Sequence, residues 1–121
     1  MKMSERVMGE LQRMGLSPKQ TERGILFTCR DADYLLYEFE MEEYLFFMTK
    51  IAEAEESDLT ECLKTVNAVN RDLHFAKLVV DKGYVWGMYE YILTDKDKLE
   101  FVLMNALSTL SGARQEFHDR R

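Results

Sequence analysis

The sequence predicts an α+β fold: a five-stranded antiparallel sheet packed with helices, in the order α-β-β-β-α-β-β-α. Three observations predict it. Five short runs of residues are rich in β-branched and aromatic side chains and mostly alternate between two faces. Three other stretches repeat apolar residues every three to four positions, the period of a helix packed on one side. Within each group of runs the connections are too short for a crossover, so neighbouring strands must run antiparallel.

The first helical stretch carries Met3, Val7, Leu11 and Met14 at helical spacing. Ser4 stands where a cap would, and Pro18, the single proline, closes the stretch. Gly24–Arg30 is the first strand, with Ile25, Phe27 and Cys29 on one face and Leu26 and Thr28 on the other. Asp31-Ala32-Asp33 is a turn. Tyr34–Met41 alternates Leu35, Tyr37, Phe39 and Met41 against Tyr34, Leu36, Glu38 and Glu40. After a turn at Glu42-Glu43, Tyr44–Ile51 is apolar on both faces.

Ser57 and Asp58 open the second helix, and Glu61 stands three after Asp58 as in a capping box. Its apolar face is Leu59, Cys62, Leu63, Val66, Val69 and Leu73. Two strands follow, Phe75–Asp81 and Tyr84–Leu93, joined tightly at Lys82-Gly83. Thr94 or Asp95 caps the last helix, whose stripe is Leu99, Val102, Leu103, Ala106, Leu110 and Phe117, with Gly112 as a fraying point. No repeat or Gly/Pro/Ser linker divides the chain, so residues 1–121 are expected to form a single domain.

Charge narrows the partner classes. The net charge is −6, and from Glu38 to Glu61 there are nine carboxylates against one base, Lys50. A nucleic-acid binder needs a basic stripe that displaces counterions, and an anionic membrane selects the same, so neither is an expected partner. The N-terminus lacks the apolar stretch of a signal peptide. Cys29 and Cys62 are far apart, sit in apolar patterns and form no C-x-x-C pair. Free buried thiols and a cytoplasmic location are the expectation.

The passage Val66-Asn67-Ala68-Val69-Asn70-Arg71, followed by His74-Phe75-Ala76-Lys77-Leu78-Val79-Val80-Asp81, resembles YbjN-like proteins. These have a helix ending in two asparagines three apart, then a strand of apolar–basic pattern and a turn. Over the whole chain the element order resembles the type III secretion chaperone-like fold. The resemblance implies a compact, commonly dimeric α+β domain without catalytic residues. It also implies that the dimer contact falls between Leu59 and Asp81, which makes Leu59, Phe75 and Leu78 candidates, because secretion-chaperone dimers use the corresponding helix and strand. On a helical wheel Asn70 falls inside the apolar arc between Leu63, Val66 and Leu73, with Asn67 at its edge. A buried amide must be satisfied, so this pair is expected to form a structural polar clasp on backbone groups.

No constellation points to catalysis, a metal or a cofactor. Asp31 and Asp33 stand at one turn and Glu42 and Glu43 at the next, on opposite edges of a meander, without EF-hand spacing. His74 lies at a helix–strand junction and His118 in a charged tail, Arg114 to Arg121, with no zinc spacing. No G-x-S-x-G elbow, G-x-G-x-x-G turn or phosphate loop occurs. What stands out is surplus apolar surface. Tyr44-Leu45-Phe46-Phe47-Met48 and Tyr84-Val85-Trp86-Gly87-Met88-Tyr89 lack a polar face, and Phe101 and Met104 lie off the core stripe of the last helix. Large aromatics anchor interfaces, so Trp86 and Phe101 join the contact candidates, and Met104 joins them as an apolar residue off the core stripe. The expected function is a non-catalytic protein-binding module, chaperone-like or regulatory, that forms a homodimer and binds another polypeptide. The alternative is a sensory or regulatory protein that binds a small ligand between sheet and helix.

Overall fold

The computed structural model describes residues 2–121. The elements are α1 (Met3–Arg13), β1 (Lys19–Gln20), β2 (Gly24–Cys29), β3 (Ala32–Tyr37), β4 (Tyr44–Glu53), a 3-10 turn (Glu56–Asp58), α2 (Leu59–Asn70), β5 (Ala76–Asp81), β6 (Tyr84–Ile92) and α3 (Leu99–Arg120). The fold is α+β, and every strand pair is antiparallel. The sheet has six strands rather than five, in the order β1-β2-β3-β4-β6-β5. The extra strand is the two-residue β1, paired through Lys19↔Leu26 and Gln20↔Ile25. Two polar residues carry no periodicity, so only their partner strand defines them.

Local chemistry moves several boundaries. α1 ends at Arg13, well before Pro18, and Gly15 closes its C-terminus. There the Gly15 N–H donates to the Gln12 carbonyl and the Leu16 N–H to the Leu11 carbonyl, both at 3.0 Å. This is a Schellman motif, and Gly15 supplies its left-handed residue at φ 84°. No helix has a side-chain cap: the N-cap positions are Lys2, Asp58 and Lys98, and Asp58 makes no capping bond. The β2–β3 turn is Arg30-Asp31, both left-handed at φ 51° and 66°, so Ala32 and Asp33 already belong to β3. β3 stops at Tyr37 because its partner β2 begins at Gly24, the residue paired with Tyr37. Residues 38–43 therefore leave the sheet as a loop. α3 runs through the exposed Gly112 without interruption to Arg120.

All three helices pack on one face of the sheet. α1 buries Val7 and Leu11, and α3 buries Leu99, Val102, Leu103, Ala106, Leu107 and Leu110, against Ile25, Phe27, Tyr34, Leu36, Leu45 and Phe47. A second cluster lies toward β5, where Cys62, Val66 and Val69 of α2 meet Leu78, Val85, Ala113 and Phe117. The β5–β6 hairpin folds back so that β6 lies beside β4 and β5 becomes the sheet's edge. A bulge between Lys50 and Ala52 interrupts the long β4–β6 ladder.

Candidate functional site

The helix-free face of the sheet carries the surplus apolar side chains. The strand register sets Leu26, Leu35, Met48 and Met88 in one cross-strand row, ending on Lys77. A second row is Tyr37, Phe46 and Glu90, and a third is Lys50, Trp86 and Val79. Successive strand residues point to opposite faces, so these are the partners of the buried series Tyr34, Leu36, Leu45, Phe47, Val85 and Tyr89. Leu35, Met48, Trp86 and Met88 are half-buried, and Leu26 is 42% exposed. The Lys50 ammonium lies 3.8 Å from the centre of the Tyr84 ring and 5.6 Å from that of Trp86, a cationic corner on an otherwise apolar face.

One end of this face is aromatic. Phe39, from the loop after β3, packs on Tyr44 at 5.1 Å and on Phe46 at 6.0 Å between ring centres. The Tyr44 hydroxyl donates to Glu90 Oε2 at 2.6 Å. Burial, then the hydrogen bond and charge of Glu90, push the Tyr44 phenol up to about 12. Around the corner, Phe39 and Met41 flank an open cleft of about 270 Å³ whose rim bears Glu38, Glu40 and Glu42.

The edge strand β5 is held by Asn70. Leu78 N–H donates to Asn70 Oδ1 at 2.6 Å, and Asn70 Nδ2 donates to the Leu78 carbonyl at 2.9 Å. The amide thus stands in for one residue of a neighbouring strand. Ladder alternation turns the backbone groups of Ala76 and Val80 to the same outer side as those of Leu78. Asn67 is exposed, and its side chain makes no hydrogen bond among the described residues.

The contact candidates are dispersed over three surfaces. Leu59 and Phe75 lie at opposite ends of the α2 segment, and Trp86 lies on the helix-free face. Phe101 and Met104, 52% and 53% exposed, project from the outer side of α3. The Leu78 side chain is in the core at 1% exposure. Phe75 is 73% exposed and sits at φ 66°, a left-handed backbone that costs an aromatic residue on the order of 1 kcal/mol. Leu63, 42% exposed, adds to the α2 surface.

By sequence Arg114 opens a charged tail, but that segment is the folded end of α3. Arg114 Nη2 donates to Thr49 Oγ1 at 2.7 Å and to the Lys50 carbonyl at 3.0 Å. Arg120 reaches α2 through Asp72 at 2.8 Å and the Ala68 carbonyl at 3.1 Å. The signal was present in spacing, since Arg114 lies four after Leu110 and three before Phe117 on the buried stripe. Among the described residues no group of three or more His, Cys, Asp or Glu is placed to hold a metal ion. Cys62 is buried, and burial raises its thiol pKa, so it is a poor nucleophile. Among the described residues no helix is long and apolar enough to cross a membrane.

An antiparallel sheet with helices on one face and an open apolar face defines a secretion chaperone-like α+β class. The E. coli protein YbjN superposes with a TM-score of 0.73 at 12% identity, over 93% of this chain and 87% of that one. The HopA1–SchA chaperone–effector complex gives 0.69 at 8% identity, covering 97% and 94%. The ExsC–ExsE complex gives 0.63 at 18% identity, covering 93% and 92%. No protein-family model and no curated protein sequence matches the chain. The chain has the YbjN-like, type III secretion chaperone-like fold.

Proposed function

We propose that the chain is a non-catalytic, cytoplasmic protein-binding module, chaperone-like or regulatory, that acts as a homodimer. The observation that carries this reading is the helix-free sheet face, with Leu26, Leu35, Met48, Met88, Phe46 and Trp86 left uncovered by the chain's own helices. A contiguous apolar patch of this kind on a folded domain marks a protein contact. Among the similar structures, SchA is a chaperone solved with its effector, and ExsC is solved in complex with ExsE. A net charge of −6 disfavours nucleic acid.

The two contacts fall on different surfaces. Self-association uses the α2–β5 edge, where Phe75 and Leu63 stand exposed beside a strand with outward-facing backbone groups. A polypeptide segment takes the open face. Phe75→Gly removes the side chain and relieves the left-handed strain together, so it tests the edge without weakening the fold. Light scattering at micromolar concentration is expected to give a dimer for the wild type in low and high salt, and a monomer for Phe75→Gly. Met88→Glu is expected to remain dimeric but to lose binding of a labelled, permanently unfolded polypeptide, followed by fluorescence anisotropy. A wild-type monomer at both salt concentrations refutes the dimer. A wild type that binds no unfolded polypeptide refutes the chaperone-like reading.

A further inference from the structure

We propose that the chain carries a second site, independent of the protein contacts above: a pocket between α3, the β2–β3 turn and the end of α1 that binds a small organic anion with an apolar body. The pocket holds about 340 Å³. Its polar wall is Arg30, Tyr34, Ser108, Ser111 and Arg114, and no carboxylate lines it. That composition runs against the chain, in which 22 acidic residues outnumber 16 basic ones.

The hydrogen-bond inventory shows what is missing. The Arg114 contacts are Thr49 Oγ1, the Lys50 carbonyl and, at 3.5 Å, the Tyr34 hydroxyl, all of them uncharged. Neither Arg30 nor Arg114 forms an ion pair among the described residues. Both hydrogens on Arg114 Nη2 are taken, which leaves Nε–H and one hydrogen on Nη1. Tyr34 is 2% exposed, and its ring stacks on Phe27 at 5.4 Å, which fixes the direction of its hydroxyl. That hydroxyl accepts the long contact from Arg114 and donates to no acceptor among the described residues. The Ser108 and Ser111 hydroxyls likewise have no hydrogen-bond partner among them. Arg30 and Ser108 stand exposed at the rim, while further in the Tyr34 hydroxyl and two Arg114 N–H groups have no protein acceptor among the described residues, and a carboxylate or phosphate group supplies those oxygens with the compensating charge.

The rest of the pocket sets the body of the ligand. Met14, Met104 and Leu107 form the apolar wall. Met104 is 53% exposed, and its flexible thioether side chain can fold over an occupant. At about 340 Å³ the pocket lies at the small end of the range for small-molecule sites, roughly 300–1,000 Å³.

The test uses the whole chain labelled at methionine methyls with carbon-13 and titrated with octanoate, 1-octanol and octylamine. Octanoate is expected to shift the Met14 and Met104 methyls along a saturating curve and to leave Met48 and Met88, on the open sheet face, unmoved. Octanol and octylamine are expected to bind at least tenfold more weakly. Arg114→Gln is expected to abolish the shifts, but it also cuts the ties to Thr49 and Lys50. Arg30→Gln and Tyr34→Phe spare those ties and are each expected to weaken octanoate several-fold at an unchanged melting temperature. No shift at saturating octanoate overturns the proposal. So do equal shifts by octanol, shifts confined to Met48 and Met88, or full octanoate binding in both Arg30→Gln and Tyr34→Phe.

Discussion

Replacing Asn70 by alanine tests how the sheet edge is secured. The side chain makes two hydrogen bonds to one residue, 2.6 Å to the Leu78 N–H and 2.9 Å to the Leu78 carbonyl. A neutral hydrogen bond contributes about 1 kcal/mol net, so the pair is worth about 2 kcal/mol. Asn70 is half-buried at an edge strand, where water can reach the freed groups, so the full penalty for orphaned buried groups does not apply. The expected loss is roughly 1–3 kcal/mol. For a domain of this size each kcal/mol moves the melting temperature by roughly 3–5 °C, so the midpoint falls by about 3–15 °C. Asn67→Ala, at an exposed amide without a partner, is the control and is expected to change stability by less than about 0.5 kcal/mol. Asn70→Asp keeps the acceptor for the Leu78 N–H but turns a second carboxylate oxygen toward the Leu78 carbonyl. At neutral pH it is expected to melt below the alanine variant, with the gap closing in acid as the carboxyl gains a proton to donate. Calorimetry of the purified variants measures all three. An Asn70→Ala midpoint within about a degree of wild type would refute the argument, because two bonds of this geometry cannot be lost without cost.

Gly24→Ala is expected to cost about 3 kcal/mol, the upper end for overpacking, because its Cβ would fall 2.0 Å from the Leu36 carbonyl oxygen at a φ of 151°; urea denaturation measures it. Gly112→Ala should instead stabilise by roughly 0.5–1 kcal/mol, since the position is an exposed one inside α3 with nothing within 4 Å of the new methyl; the same urea series reports it. Tyr44, pushed up to about 12 from 10.0, should keep its proton well above the ordinary phenol range, and Glu90→Gln should lower it. Difference absorbance against Tyr44→Phe reads this directly. The sign for stability follows: the folded chain holds this proton where the unfolded chain has lost it, so stability falls as pH rises from about 10 to about 12. Phe75→Gly is expected to abolish the dimer in light scattering; in calorimetry the lost association lowers the melting temperature and the relieved left-handed strain offsets part of that fall, so the monomer should still melt cooperatively.

Long periodic elements were legible because their signal is local. The stripe Leu99, Val102, Leu103, Ala106, Leu110 and Phe117 defines α3 whatever lies around it. Strand faces were legible for the same reason: Tyr34 and Leu36 are in the core and Leu35 and Tyr37 on the open face, although the turn before them is Arg30-Asp31. Features defined by a partner were not legible. β1 exists only because β2 offers Leu26 and Ile25, and β3 ends at Tyr37 because β2 begins at Gly24. Capping residues were legible as types, yet Ser4, Asp58 and Thr94 do not cap, since helix ends in a packed domain are set by the apolar residues they must bury.

The same division separates the two sites. The open sheet face was visible as strands with no polar side, because a surplus of apolar residues survives any arrangement of a few helices. The pocket around Arg114 is assembled from positions 14, 30, 34, 104, 107, 108, 111 and 114, contributed by two helices, a turn and a strand. No window of sequence contains it, and Arg114 looks like one charge in a solvated tail until the Thr49 and Lys50 contacts fix it against β4. A contact surface is a matter of composition and can be counted along a chain. A donor cluster without acceptors is a matter of placement, and it appears only once every other hydrogen bond around it has been assigned.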